Sequence, residues 1–196
     1  MHHLRDLTVL ILGLGDSGLA MARWCARCGA HVRVADTRAH PPQAGTLAAD
    51  VPTATLHQGL DVALLDGVNL VLKSPGLPND PAVSALTARA DALGIPVRGE
   101  LSLFASALAD LKTDLGYAPK VVAITGTNGK TTTTSLTTQL IERAGLRVSM
   151  AGNIGPTLLD TLRLALDAEP AREPACEQTE LAFEGSDPVL PAEAES

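Results

Sequence analysis

Residues 8–18 read T-V-L-I-L-G-L-G-D-S-G, an apolar run that ends in a turn with glycine at 13, 15 and 18. A continuous apolar run closed by turn residues is the pattern of a strand buried on both faces, as in a parallel sheet. The G-x-G-x-x-G spacing then turns the chain tightly and opens a helix, for which residues 17–28 are suited. A second strand pattern, H-V-R-V-A at residues 31–35, ends at Asp36. This order predicts a Rossmann-like unit, with the first helix presenting its N-terminal N–H groups to an anion. An acid at the end of the second strand is where a dinucleotide-binding fold meets ribose hydroxyls, so one reading is an NAD site and an oxidoreductase. Thr37 and Arg38 set a hydroxyl and a planar cation beside that carboxylate, which suits a uracil ring and a diphosphate equally well. On these residues alone both readings stay open.

Outward from this unit, strand patterns recur at residues 53–57, 69–72 and 97–98, and helix patterns at 81–93 and 100–108. Alternation of this kind predicts an α/β fold with a parallel sheet covered by helices. Residues 110–119 are polar and carry Gly116 and Pro119. They are expected to link a first domain, residues 1–109, to a second that begins at residue 120. In the second, residues 120–124 form a strand and 130–144 a helix; 147–150 form another strand before the G-N-I-G turn at 152–155, and 157–166 a last helix. No internal repeat is visible.

The second domain opens on V-V-A-I-T-G-T-N-G-K-T-T-T-T, residues 121–134. Backbone N–H groups of such a glycine-rich turn can surround phosphate oxygens, Lys130 can place a point charge on the outer phosphates, and the Thr131 hydroxyl can ligate Mg2+. The spacing is G-x-x-G-K-T, and Ile124 stands where the common phosphate-loop pattern has its first glycine.

G-T-N-G-K-T-T after V-A-I-T resembles the Mur ligase and folylpolyglutamate synthetase superfamily. Five further pieces are similar to the Mur ligase family in the same order: G-L-G-D-S-G at 13–18, D-T-R at 36–38, K-S-P-G at 73–76, G-E-L-S-L-F at 99–104 and G-N-I-G at 152–155. The likeness is to the branch that adds D-glutamate to UDP-N-acetylmuramoyl-L-alanine in peptidoglycan synthesis. Asn128 differs from the histidine typical of the L-alanine-adding branch, and the dinucleotide-type first domain differs from the later ligases.

This resemblance implies a Rossmann-like UDP-substrate domain followed by the start of the family's ATP-binding central domain, residues 120–166. It implies that Gly126, Thr127, Asn128, Gly129, Lys130, Thr131 and Thr132 hold ATP, with Lys130 catalytic and Thr131 on Mg2+. Asp16, Ser17, Asp36, Thr37, Arg38, Ser74 and Gly76 would hold the UDP half of the substrate, and Asn153 the muramyl half. The alternatives are an Arg38 that only pairs with Asp36 and a Ser74 that only caps a turn. The family's E-L-S-S-F-Q strand, its carbamylated lysine, a downstream histidine and its C-terminal domain have no counterpart after Leu166. The resemblance therefore implies a fragment, inactive alone, of a monomeric ligase. A UDP-sugar-binding module without catalysis is the competing expectation.

Composition sets the remaining bounds. Hydrophobic residues make up 45 % of the 196 positions and aromatic residues 2 %, so the core must rest on Leu, Val, Ile and Ala. Neither an apolar stretch near 18 residues nor a basic-apolar leader is found, which predicts a cytoplasmic protein without a membrane partner. Cys25 and Cys28 form a C-x-x-C without a second pair, which reads as small residues on a helix face rather than half a metal site. Residues 167–196 hold nine acidic residues and one arginine, more than the whole net charge of −7, with four prolines and six alanines. They are expected to be a disordered acidic segment. Such a balance also disfavours nucleic acid as a partner.

Overall fold

The computed structural model describes residues 2–77, 80–152 and 155–169. Five strands form one sheet: β1 (Thr8–Leu12), β2 (His31–Asp36), β3 (Thr55–Gln58), β4 (Leu70–Lys73) and β5 (Val97–Arg98), in the order β3-β2-β1-β4-β5, all parallel. The order reverses beside β1, whose two neighbours are β2 (Leu12 beside Ala35) and β4 (Leu12 beside Lys73). In open α/β sheets that reversal leaves a crevice beyond the carboxyl ends of the strands, where ligands bind.

Both faces of the sheet are covered at its centre, as the unbroken apolar run of β1 requires. Val9 and Ile11 point to one side and Leu10 and Leu12 to the other, following the two-residue period of a strand. On the first side lie α1 (Asp16–Arg27), α2 (Ala44–Asp50), α4 (Glu100–Leu115) and α6 (Leu158–Ala168), around Met21, Trp24, Leu47, Leu103, Leu111, Leu159 and Leu162. On the second lies α3 (Pro81–Ala92), through Val83, Leu86 and Ala90. The N-cap Asp80 accepts the Val83 N–H at 2.8 Å and Pro81 takes the first helical position, so α3 starts sharply.

Several elements differ from the sequence reading. Helix α4 does not stop at Leu108 but runs to Leu115, so the first residues of the expected linker 110–119 are helical. Leu103, Ala107 and Leu111 repeat every four positions and are all buried, while Ala105, Ala109, Lys112, Thr113 and Asp114 are exposed on the other side of the helix. Gly116, at φ +62°, is the stop. Helix α2 was not expected: it is short and buries only Leu47, which leaves no period to read.

Residues 120–124 and 147–150, expected as strands, are not strands. A strand needs a neighbour for its N–H and C=O groups, and among the described residues the only sheet is the five-stranded one. Val121 and Val122 accordingly stand 59 % and 63 % exposed. Between these segments, α5 (Lys130–Arg143) forms where expected, with no buried residue.

The last helix continues past Leu166 to Ala168, and Asp167 and Glu169, assigned to the acidic segment, are held by Arg27 at 2.6 Å and Arg147 at 2.8 Å. The remainder of that segment, residues 170–196, lies outside the described residues.

Candidate functional site

The turn after β1 is built by contacts that only glycine allows. Gly13 takes φ +89° and donates its N–H to Ala35 O at 2.8 Å, tying the turn to β2. A Cβ on Gly18 would stand 2.0 Å from the Gly13 carbonyl oxygen, so α1 starts in direct contact with the turn. On the outer side nothing lies within 4 Å of a Cβ placed on Gly15. A ligand can therefore approach the backbone there and meet the first turn of α1, whose N-cap Gly15 makes no side-chain capping bond.

Asp36 lies under this turn at the end of β2 and is fully buried. Its Oδ2 accepts the Leu14 N–H at 2.6 Å and Arg38 Nη2 at 2.7 Å; its Oδ1 accepts the Arg38 backbone N–H and Nε, each at 2.8 Å. The bidentate guanidinium, with the two backbone donors, lowers the carboxyl pKa to about 2. Each oxygen already has two donors. The carboxylate is thus occupied by its own chain, while Thr37 and Arg38 stand exposed beside it.

Across β1, the turn after β4 supplies Ser74 and Gly76. Ser74 donates its N–H to Leu12 O at 3.0 Å and sits beneath the glycine turn, its Cβ 3.2 Å from where a Gly13 Cβ would be. It is buried, whereas Gly76 is exposed. At the start of α1, Asp16 Oδ1 accepts Gln43 Nε2 at 2.7 Å, and Ser17 is half-buried.

Asp16 and Gln43 line one wall of a pocket of about 250 Å3, together with Leu19, Arg23 and Thr46. The opposite wall is Gly155, Pro156, Thr157 and Asp160, the approach to α6. The fold therefore brings the G-N-I-G turn to the start of α1, although Asn153 itself lies outside the described residues. Arg23 joins the walls: its Nε holds Asp50 at 2.8 Å and its Nη1 holds Asp160 at 3.0 Å. Gln43, Arg23 and Asp160 were missed in the sequence, because each is an ordinary polar residue on a helix or loop with no spacing to mark it.

The phosphate-loop residues 126–132 form an exposed turn entering α5. Gly129 is its N-cap at φ +75°, with open space around its Cβ position, so conformation rather than crowding calls for glycine. The helix start has no side-chain cap, and Lys130 Nζ donates to the carbonyl oxygens of Gly126 and Thr127. Thr131 and Thr132 are exposed in the first turn. Free N–H groups, an ammonium and two hydroxyls at a helix N-terminus form a donor set suited to a polyphosphate and a hard divalent cation.

Cys25 and Cys28 are both free and buried in the core. Burial raises both thiols, Cys28 to about 11, so neither is readily a thiolate. Among the described residues no group of three or more His, Cys, Asp or Glu could hold a metal ion, and no helix is long and apolar enough to cross a membrane.

Two family models match. Residues 7–99 match "Mur ligase MurD-like, N-terminal domain", and residues 124–184 match "Mur ligase middle domain", which carries the likeness past Leu166, where the resemblance was expected to stop. A UDP-N-acetylmuramoylalanine--D-glutamate ligase from Albidiferax ferrireducens is 59 % identical over 166 residues, covering 83 % of this chain and 32 % of that protein. Its namesake from Ralstonia nicotianae is 58 % identical over 162 residues, covering 82 % of this chain and 32 % of that protein. The chain spans about a third of the length of these curated relatives. A solved pseudomurein peptide ligase type C from Methanothermus fervidus aligns with a TM-score of 0.48 at 23 % identity, covering 80 % of this chain and 31 % of that one.

Proposed function

The chain belongs to the Mur ligase family, and from that premise we propose that it carries the UDP-substrate domain and the ATP-phosphate loop of a ligase that joins D-glutamate to UDP-N-acetylmuramoyl-L-alanine. The observation that carries this reading is the presence, in one chain, of the 13–18 turn and the 126–132 loop, each inside its own Mur match. In the reaction proposed, an oxygen of the L-alanine carboxylate bonds to the γ-phosphorus of ATP as the bond to the bridging oxygen breaks and ADP leaves. The D-glutamate amine then bonds to the acyl carbon, and inorganic phosphate leaves.

In this reading the N–H groups of residues 126–132 orient the triphosphate, and Lys130 exchanges its carbonyl partners for the β- and γ-phosphate oxygens. Transfer of this type depends on positioning and charge neutralisation. Mg2+, when bound, supplies further neutralisation of the phosphate charge, with the Thr131 hydroxyl as a ligand. The UDP half lies along the β1 turn: Asp16 and Ser17 at the helix start, Thr37 and Arg38 at the base, Gly76 and the buried Ser74 across β1, and Asn153 toward the muramyl group. Asp36 acts by holding Leu14 and Arg38 in place. Its filled acceptor sites leave none for ribose hydroxyls, which counts against the NAD reading.

We place the ligase in the cytoplasm as a monomer. The 196-residue chain is expected to bind UDP-linked substrate through the β1 turn. Thermal-shift titrations with UDP, NAD and Mg-ATP test the reading, because a ligand that binds only the folded chain must stabilise it. Stabilisation by UDP and not NAD is expected; the reverse would overturn the proposal in favour of an oxidoreductase.

A further inference from the structure

Glu100 is the first residue of α4 and is buried, although it does not line the 250 Å3 pocket. Its Oε1 accepts the Leu159 N–H at 3.2 Å, in the first turn of α6, 59 positions along the chain. The next N–H of that turn, from Asp160, goes to the Thr157 side chain at 3.2 Å. Two of the four donors that a helix start leaves open are thus satisfied, one within the turn and one by a carboxylate from another helix. The same carboxylate lies at the N-terminus of its own helix, where a negative charge is also favoured. Leu159 is itself buried, so the start of α6 is fixed by both an apolar side chain and a charged hydrogen bond. Directly before this point run Gly155, Pro156 and Thr157, which make one wall of the 250 Å3 pocket opposite Asp16 and Gln43.

We propose that Glu100 is a positioning residue for substrate binding: by holding the Leu159 N–H it sets the 155–157 wall of the pocket against the start of α1. This role rests on the proposed UDP-substrate reading. It gives the G-E-L-S-L-F motif a function that its place away from the ligand would not reveal. The part of the substrate beyond the diphosphate should depend on this wall, whereas the nucleotide part, read at Thr37 and Arg38, should not.

Two near-isosteric variants of the full 196-residue chain separate the role from general folding. Glu100→Gln keeps an oxygen acceptor for Leu159, and Glu100→Met keeps the length and bulk without one. Calorimetric titration with UDP and with UDP-N-acetylmuramoyl-L-alanine is expected to give near-native values for the Gln variant. For the Met variant we expect about a tenfold loss for the muramyl-linked substrate, the size of one charged hydrogen bond, and an unchanged value for UDP. Amide exchange at Leu159 should accelerate in the Met variant alone, a readout that requires no ligand. Equal exchange and equal affinities in the two variants would overturn the proposal. If the unmodified chain bound neither UDP nor the muramyl compound, the substrate reading itself would fall, and the role of Glu100 in binding with it.

Discussion

The Leu14 N–H points into the Asp36 carboxylate at 2.6 Å, so the glycine turn after β1 hangs on a charge at the end of β2. Arg38 closes the other side of that carboxylate with three further donors. The turn, the acid and the cation form one unit, and a change at any of them is felt at the other two.

Asp36 should make this unit sensitive to acid. Its carboxyl is held at about 2 in the folded chain against 3.8 ordinarily, so between those values the unfolded chain binds more protons. Its contribution, about 2 kcal/mol, is complete above pH 4 and lost as the pH falls toward 2. Urea unfolding of Asp36→Asn from pH 2 to 7 should show a loss of that size at neutral pH, shrinking as the pH falls through 4. A constant difference across the range would mean that the carboxylate's charge is not what stabilises the turn.

Gly18 and Gly15 should separate folding from binding. An alanine Cβ at position 18 meets the Gly13 carbonyl oxygen at 2.0 Å, and that peptide cannot move away without straining the bond of its own N–H, on Leu14, to Asp36. Gly18→Ala is expected to lose roughly 3 kcal/mol or more in denaturant unfolding. Gly15→Ala meets nothing within 4 Å and should change stability by less than about 1 kcal/mol, while weakening UDP at the same turn. Equal stability losses would refute the assignment of Gly15 to the ligand side.

Arg23 ties α6 to α1 and α2 through Asp160 and Asp50, and Arg27 adds Asp167. These pairs are partly exposed, so the expected coupling between Arg23→Ala and Asp160→Ala in a double-mutant cycle is small, about 0.5–1 kcal/mol, and should weaken in high salt. A coupling near zero at low salt would leave the attachment to the buried Leu159 and Leu162, the Glu100 carboxylate and the Arg27–Asp167 pair.

The Rossmann-like sheet could be read closely from sequence because its signals are local: β1 and β5 have the boundaries expected, and the glycine turn has a spacing that few other structures need. The same holds for α5, which follows its loop. What escaped was long-range. The apolar repeat of 159 and 162 marks a helix, yet nothing in it says that the partner is α1 and α4 of the first unit rather than a second sheet. The Arg23 bond to Asp160 joins residues 137 positions apart. In Glu100 the motif was visible, but a buried carboxylate acting on a distant N–H leaves no periodic trace. Residues 121–124 are apolar apart from their backbone and read as a strand, but a strand exists only where a neighbour completes its hydrogen bonds, and the described residues supply none there.

Among the described residues, Lys130 Nζ donates only to the carbonyl oxygens of its own loop, Gly126 and Thr127. Removing the ammonium should leave the loop's fold nearly unchanged, since the residue is exposed. It should, however, remove the one cation at the start of α5 able to meet a triphosphate. Losing such a charge-stabilising group typically costs on the order of 3 kcal/mol in phosphoryl transfer, a rate effect of about a hundredfold or more. In the chain itself the readout is binding: Lys130→Ala should abolish the thermal stabilisation by Mg-ATP while keeping that by UDP, because the two ligands use different turns. If Mg-ATP still protected the variant as well as the parent chain, the 126–132 loop would be a structural turn and the triphosphate site would have to be sought elsewhere.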